Sequence, residues 1–189
     1  MRDDADRGGT TTGRDEAKTT RVAGEGLAST ADLGAARRSR ASFYADPAAW
    51  LVVDAIERAL DGAGERVLAA RAETGVLAVS AHATRHTMRS IARQAAAGRV
   101  SPLRFAGASP GSLAGLPCIV LGLRGPSLLL GMAPETARTA ALAVVSNWLA
   151  TRQCRYVAVA EHTVAGTVHT VRGRILGARE TLVPSPGGL

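Results

Sequence analysis

The sequence has 189 residues, 46% of them hydrophobic and only 3% aromatic, so it suffices for one globular domain with an aliphatic core. It carries 23 basic and 16 acidic residues, a net charge of +7, and nearly all of the basic residues are arginine. The first 20 residues lack the apolar run of a secretion signal, and the longest apolar stretch, 112–133, is interrupted by glycine, proline and arginine. Neither secretion nor a membrane-spanning helix is therefore expected.

The two cysteines indicate the redox compartment. Cys118 and Cys154 lie in apolar surroundings, and they lack the paired spacing of a zinc site or a redox-active pair. Both are interpreted as reduced core residues, which favours a cytoplasmic protein. No metal or organic cofactor is expected.

The first 60 residues change from polar to strongly apolar. Residues 1–19 are rich in charge, glycine and threonine without a hydrophobic period, which is typical of a disordered tail. Residues 20–29 predict a short strand and turn, and a polar linker follows at 37–40. The first firm element is a helix over 47–60, with Asp46 as N-cap and Pro47 at its first position.

The remainder alternates between strand and helix patterns. The apolar run 75–80 predicts a strand covered on both faces, a helix follows at 84–97, and a Gly/Pro/Ser-rich connection spans 99–111. The further predicted elements are helices at 112–121 and 135–151 and strands at 127–130, 155–160 and 168–176. This order indicates an α/β fold, a mostly parallel sheet layered with helices, within a domain spanning 20–180 and followed by a flexible C-terminus at 181–189.

One segment carries a resemblance to a known family. Residues 100–130 contain a serine-proline loop, a small-residue helix and the turn Gly-Leu-Arg-Gly-Pro at 122–126. The segment resembles the N-terminal half of a β-ketoacyl synthase, and the order of elements from 20 to 176 agrees with that half. The resemblance implies a thiolase-like fold, whose complete form has two similar halves, and the chain is too short to contain the second.

The resemblance also locates the position of the family's nucleophile. In the family a cysteine within a Thr-Ala-Cys-Ala-Ser motif begins a helix, where the helix dipole favours the thiolate. Counted from Gly125, this position is occupied by Pro134, which has no nucleophile but suits the first turn of a helix. Glu135 is the only ionisable group there and is interpreted as a first-turn acid. The family's histidines and lysine belong to the missing half, so no catalytic residue is expected.

Two of the four histidines are candidate metal ligands. His82 and His86 have the i, i+4 spacing of a metal-binding pair, but no glutamate completes such a motif, and Arg85 and Arg89 would repel a cation. A solvated or capping role is expected instead. The other two histidines, at 162 and 169, flank an apparent connection between two strands and are interpreted as loop residues without a role.

The excess of arginine is a candidate binding surface for an acidic partner. Scattered arginines and scarce aromatics argue against nucleic acid. Acyl carrier proteins are typically acidic, so the resemblance makes Arg89, Arg93, Arg99 and Arg104 candidates for a docking face, with ordinary solvated positions as the alternative.

These observations predict a non-catalytic accessory or scaffold protein of polyketide or fatty-acid biosynthesis. It would pair with itself, a ketosynthase or an acyl carrier protein, similar in role to a chain-length factor, a ketosynthase-like subunit without the cysteine. Helix 112–121 is expected to be exposed as an apolar patch that a partner covers. The alternative is an acyltransferase or ketosynthase subunit that completes an active site with a separately encoded chain, or that decarboxylates malonyl groups through Glu135. No nucleic-acid or membrane partner is expected.

Overall fold

The computed structural model describes residues 20–36, 45–99 and 101–178. Within these residues five strands form one sheet in the order β1-β5-β4-β2-β3. The strands are β1 (Thr20–Thr30), β2 (Thr74–Ser80), β3 (Ser127–Leu130), β4 (Tyr156–Ala165) and β5 (Val168–Ala178). The α-helices described are α1 (Pro47–Asp61), α2 (Glu65–Ala69), α3 (Arg85–Ala96), α4 (Pro102–Gly107), α5 (Ser112–Leu121) and α6 (Pro134–Ala150).

The predicted layered α/β fold is confirmed, but the sheet is mixed rather than mostly parallel. β2 pairs in parallel with β3 and β4, whereas β5 pairs antiparallel with both β4 and β1. The reason is the connection between β4 and β5, a hairpin loop of only two residues, Gly166 and Thr167, which can join only antiparallel strands. The predicted tail at 1–19, the linker at 37–40 and the C-terminus at 181–189 lie outside the described residues.

Helix α1 forms the centre of the larger core. The Asp46 carboxylate accepts the backbone N–H of Ala48 at 2.8 Å, and Pro47 occupies the first helical position, as predicted. α1 packs on β1 and β5 on one side and on α5 on the other. Its apolar residues are buried around most of its circumference, with Val52, Ile56 and Leu60 almost wholly removed from solvent. Burial on more than one side explains why its sequence is apolar all round.

The opposite face of the sheet is covered by α6. Val145 and Trp148 of this helix pack with Leu77 of β2 and Val157 of β4 in a second, smaller core. All seven residues of β2 are buried, as expected of a strand covered on both faces. The sheet therefore lies between α1 and α5 on one side and α6 on the other.

Helix α5 is less exposed than expected. Leu113, Leu116 and Leu121 are buried in the core around α1. Exposure is concentrated at Ile119, which is 70% exposed, and at its neighbour Val120. The expectation that the whole helix forms an open apolar patch is wrong, because α1 of the same chain covers most of it.

Candidate functional site

A cavity of about 760 Å³ lies beside the carboxyl ends of β2 and β4. All four histidines of the sequence line it: His82 after β2, His86 on α3, His162 on β4 and His169 on β5. Helix α3 contributes three arginines, Arg85, Arg89 and Arg93. Among the described residues that line the cavity none is acidic. Its volume lies in the range of small-molecule sites, and because it brings all four histidines together we treat it as the candidate site.

The sheet brings the two distant histidines together. In the antiparallel pairing of β4 and β5, His162 is opposite Val171 and His169 is opposite Val164, so the histidines are diagonal neighbours on one face. Their rings stack with centroids 5.3 Å apart. The interpretation of both as loop residues is wrong, because β4 continues to Ala165 instead of ending near residue 160.

A chain of hydrogen bonds leads from Ser80 to the cavity. The Ser80 Oγ accepts the backbone N–H groups of His82 and Ala83 at 3.1 and 2.8 Å. Its own proton is thus free for His162 Nδ1, which lies 2.8 Å away. We therefore assign the remaining proton of His162 to Nε2, which lies 3.0 Å from Nδ1 of His169. By the same assignment, His169 carries its proton on Nε2.

Burial keeps these two imidazoles neutral. It lowers the pKa of His162 from 6.5 to about 4, and the nearby His169 and His82 act in the same direction. Burial also lowers the pKa of His169, assisted by His82 and opposed by Asp46. Asp46 is itself fixed, since its second carboxylate oxygen accepts the backbone N–H of Thr87 at 2.8 Å. Near pH 7 the hydrogen-bond chain therefore consists of neutral groups.

Ser80 is not placed to act as a nucleophile, although it bonds a histidine. It is fully buried, and the two backbone donors occupy the lone pairs of its oxygen. The role of Ser80 is instead to orient the hydrogen-bond chain, because its fixed hydroxyl sets the tautomer of His162. The arrangement can present a neutral N–H donor to a ligand.

Pro134 and Glu135 begin helix α6. β3 is parallel to β2, so this helix N-terminus lies at the same edge of the sheet as the cavity. Pro134 is half-buried, Glu135 is exposed, and no side chain caps the first turn of the helix. Neither residue lines the histidine cavity.

The four arginines named as docking candidates divide between two places. Arg89 and Arg93 line the cavity, with Arg93 Nε 3.4 Å from the carbonyl oxygen of Arg89. Arg99 is exposed just beyond the end of α3. Arg104, on α4, donates to Ser90 Oγ at 2.9 Å and so links α4 to α3.

The Gly-Leu-Arg-Gly-Pro segment has a structural explanation. Gly122 ends α5 with a φ of 70°, in the left-handed region that favours glycine. A Cβ on Gly125 would approach the backbone nitrogen of Gly75 to 2.6 Å, so this strand entry admits only glycine. Pro126 accepts the backbone N–H of Val76 at 2.8 Å. The motif joins α5 to the sheet at the edge opposite the cavity.

Both cysteines are free thiols, as predicted. Burial raises the pKa of the Cys118 thiol and that of Cys154. Cys154 borders a second cavity, of about 460 Å³, together with Arg124 and Arg155. A raised pKa makes a thiol a poor nucleophile near neutral pH.

Within residues 20–36, 45–99 and 101–178, no three His, Cys, Asp or Glu side chains are grouped so as to hold a metal ion. No helix there has the length and apolar character needed to cross a membrane.

The family follows from comparison of the sequence with family models. Residues 7–174 match the model of the β-ketoacyl synthase N-terminal domain, most of the chain. The chain belongs to this family, which confirms the resemblance inferred from residues 100–130. No curated protein matches the sequence.

Solved structures share the fold. The ishigamide ketosynthase/chain length factor superposes with a TM-score of 0.69 at 15% identity, over 86% of this chain and 63% of that one. The ketosynthase ApeO in complex with its chain length factor ApeC, from Xenorhabdus doucetiae, superposes with a TM-score of 0.60 at 12% identity. The match covers 84% of this chain and 79% of that one. A type II polyketide synthase acyl-carrier protein in complex with its ketosynthase bound to the hexaketide superposes with a TM-score of 0.61 at 10% identity. The match covers 85% of this chain and 63% of that one. The chain thus spans less than two thirds of the first of these structures.

Proposed function

We propose that the chain is a non-catalytic, ketosynthase-like accessory subunit of polyketide or fatty-acid biosynthesis that acts in the cytoplasm. It pairs with a ketosynthase-like protein or with itself, and it binds an acyl carrier protein. The observation that carries the proposal is Pro134 at the first position of α6, where the family motif has its cysteine. Proline has neither a thiol nor a backbone N–H, so this helix N-terminus loses both the nucleophile and one potential hydrogen-bond donor.

Glu135 and the candidate serine and cysteine nucleophiles of the described chain do not supply the missing chemistry. Glu135 is exposed, and a carboxylate in water is a weak nucleophile and a weak base. Ser80 is buried and fully hydrogen-bonded. The thiols of Cys118 and Cys154 have raised pKa values.

The open edge of the sheet at β3 is the proposed pairing surface. β3 is the last strand of the described sheet and pairs only with β2, so one side of its backbone is open. Leu128 on this strand is 38% exposed, and Met132 follows it in the next loop. An open apolar edge strand is a template for strand addition by another chain. The ketosynthase and chain length factor complexes with the same fold support a partner of that kind.

Carrier-protein binding is argued from charge. The exposed Arg99 and the half-buried Arg104 lie outside the cavity and leave a basic surface around the ends of α3 and α4. Such a surface complements an acidic carrier protein. The solved complex of an acyl-carrier protein with a ketosynthase of the same fold supports this class of partner.

Pairing is tested by the native mass of the purified chain, alone and with the ketosynthase of its producing cell. We expect a dimer or a one-to-one complex, and we expect Leu128→Lys to disrupt it. Leu27→Lys is the matched control, because Leu27 is also an exposed leucine on an edge strand, at the far side of the sheet. A monomer that ignores the ketosynthase, or equal sensitivity to both substitutions, contradicts the proposal.

The non-catalytic role is tested by incubation with acyl- and malonyl-loaded carrier protein, followed by mass spectrometry and a decarboxylation assay. We expect no covalent acyl adduct and no carbon dioxide release above background. Turnover that Glu135→Ala abolishes would establish the alternative, an acyl-transfer or decarboxylating subunit.

A further inference from the structure

The cavity has one strongly cationic wall. Arg85, Arg89 and Arg93 follow one another at i, i+4 spacing on α3, so they occupy one face of the helix. All three are exposed, and together they span about 12 Å along the helix axis. Like charges at this spacing destabilise a helix by a few tenths of a kcal/mol per pair. Arg85 approaches His82 Nδ1 at 3.5 Å and Arg93 approaches the carbonyl oxygen of Arg89 at 3.4 Å, long contacts that bring no negative charge to the row. A binding role would account for the arrangement.

The histidines opposite do not compensate this charge. His162 and His169 are neutral, and the hydrogen-bond chain from Ser80 orients the Nε2–H of His169 as a donor. The described lining contains no carboxylate, and the nearby Asp46 is buried with both oxygens engaged by backbone N–H groups. Positive charge and N–H donors line the cavity, and the complementary ligand is an anion.

We propose that this cavity binds a small organic polyphosphate. One phosphate is too small to contact guanidinium groups spread over about 12 Å, whereas two or three linked phosphates match the row. His169 would donate to a phosphate oxygen without requiring a protonated ring. Leu33, Ala48 and Val164 provide apolar surface for the organic part of the ligand. The proposal concerns the cavity of the single chain and does not depend on the pairing proposed above.

The test is calorimetric titration of the full chain with tripolyphosphate at about 150 mM salt, with orthophosphate titrated in parallel. We expect saturable one-to-one binding of tripolyphosphate, at least tenfold tighter than orthophosphate. We expect Arg89→Gln/Arg93→Gln to weaken it at least tenfold. The matched control is Arg138→Gln, an exposed arginine on α6 that does not line the cavity. Thermal unfolding of each variant verifies that the fold is intact.

Two further measurements separate this site from general attraction to a basic protein. The imidazole NMR signals of His169 should shift on addition of tripolyphosphate. ATP, which adds an organic part, should bind at least as tightly. Absence of saturable binding, equal loss in the Arg138 control, or stronger competition by a single-stranded oligonucleotide would each overturn the assignment. Because the chain is tested alone, none of these outcomes bears on its pairing with a ketosynthase.

Discussion

His162 shows how a single residue connects the sheet to the cavity. It is 1% exposed, and each of its ring nitrogens has a hydrogen-bond partner, Ser80 on one side and His169 on the other. A protonated ring would need two acceptors, but the Ser80 oxygen is already occupied by two backbone N–H groups. Geometry and burial therefore both oppose protonation.

Acidification should consequently destabilise the fold. The pKa of His162 is about 4 in the folded protein and 6.5 in the unfolded chain, so the unfolded state binds the proton first. His162 contributes about 3 kcal/mol to the free energy of unfolding above pH 6.5, and this contribution is lost as the pH falls toward 4. Urea unfolding at pH 7.5 and at pH 4.5 measures the difference.

The control is His162→Gln, whose amide can accept from Ser80 and donate to His169 but does not titrate. We expect this variant to lose much less stability between the two pH values than the natural protein. An equal loss in both proteins would assign the effect to carboxylates instead.

Pro134 gives a second prediction at this scale. A cysteine introduced by Pro134→Cys would begin α6, where the helix dipole and free backbone N–H groups stabilise a thiolate. We expect its alkylation by iodoacetamide at pH 7 to be at least tenfold faster than that of Cys118 or Cys154, whose pKa values are raised by burial. Peptide mass spectrometry over time measures all three thiols in one sample, so the native cysteines are the control.

If the introduced thiol reacts no faster than the native ones, this helix N-terminus is not the activating environment that the family motif implies.

The sequence alone made Pro134 the candidate for the nucleophile position by a count along one motif, and the structure places Pro134 at the start of α6. The histidine cavity could not be identified in this way. Ser80 and His162 are 82 residues apart in sequence, and they become neighbours only through the parallel pairing of β2 with β4. The one signal in the sequence was the Gly-Thr pair at 166–167, which suits a two-residue hairpin turn and would place His162 and His169 on adjacent strands.

Among the elements, the turn between α5 and β3 is tightly constrained. Gly125 and Gly75 touch backbone to backbone, and Gly125 donates its N–H to the carbonyl oxygen of Thr74 at 3.0 Å. We expect Gly125→Ala to cost about 3 kcal/mol, because its Cβ would clash with backbone atoms that cannot move alone. Gly131→Ala, where a Cβ meets nothing within 4 Å, should be nearly neutral.

Chemical denaturation of the two variants measures this difference. Equal stability of the two variants would mean that the strand entry tolerates a side chain and that the motif has another purpose.

Most predicted elements are present, and two short helices were missed. α5 and β3 have the predicted bounds, and α6 is displaced by one residue. The five-residue α2 and six-residue α4 were missed because so short a segment shows little more than one turn of periodicity. The antiparallel pairing of β1 with β5 was missed because these strands are far apart in sequence, and a local pattern does not encode which distant strands pair.

At the scale of the whole molecule, the net charge of +7 sets the behaviour toward acidic partners. We expect binding of an acidic carrier protein to weaken as salt rises from 50 to 300 mM, since exposed charges are screened. Arg99→Glu should weaken it several-fold at low salt, whereas Arg138→Glu, an equal change of charge on α6, should have a smaller effect.

Surface plasmon resonance on the immobilised carrier protein measures both effects. Equal weakening by the two substitutions would indicate attraction to the overall charge instead of a docking face.

The first and last strands of the described sheet are direct neighbours, and Thr20 is paired with Ala178. The two ends of the described part of the chain therefore lie side by side, and a few residues of linker would join them. New ends can then be opened in the hairpin loop between Ala165 and Val168. A circularly permuted chain of this kind should fold to the same sheet, with its sequence beginning at β5 and ending at β4. Circular dichroism and thermal unfolding of the permuted chain measure this, and a native-like result would mean that the sheet does not depend on the order of its strands along the chain.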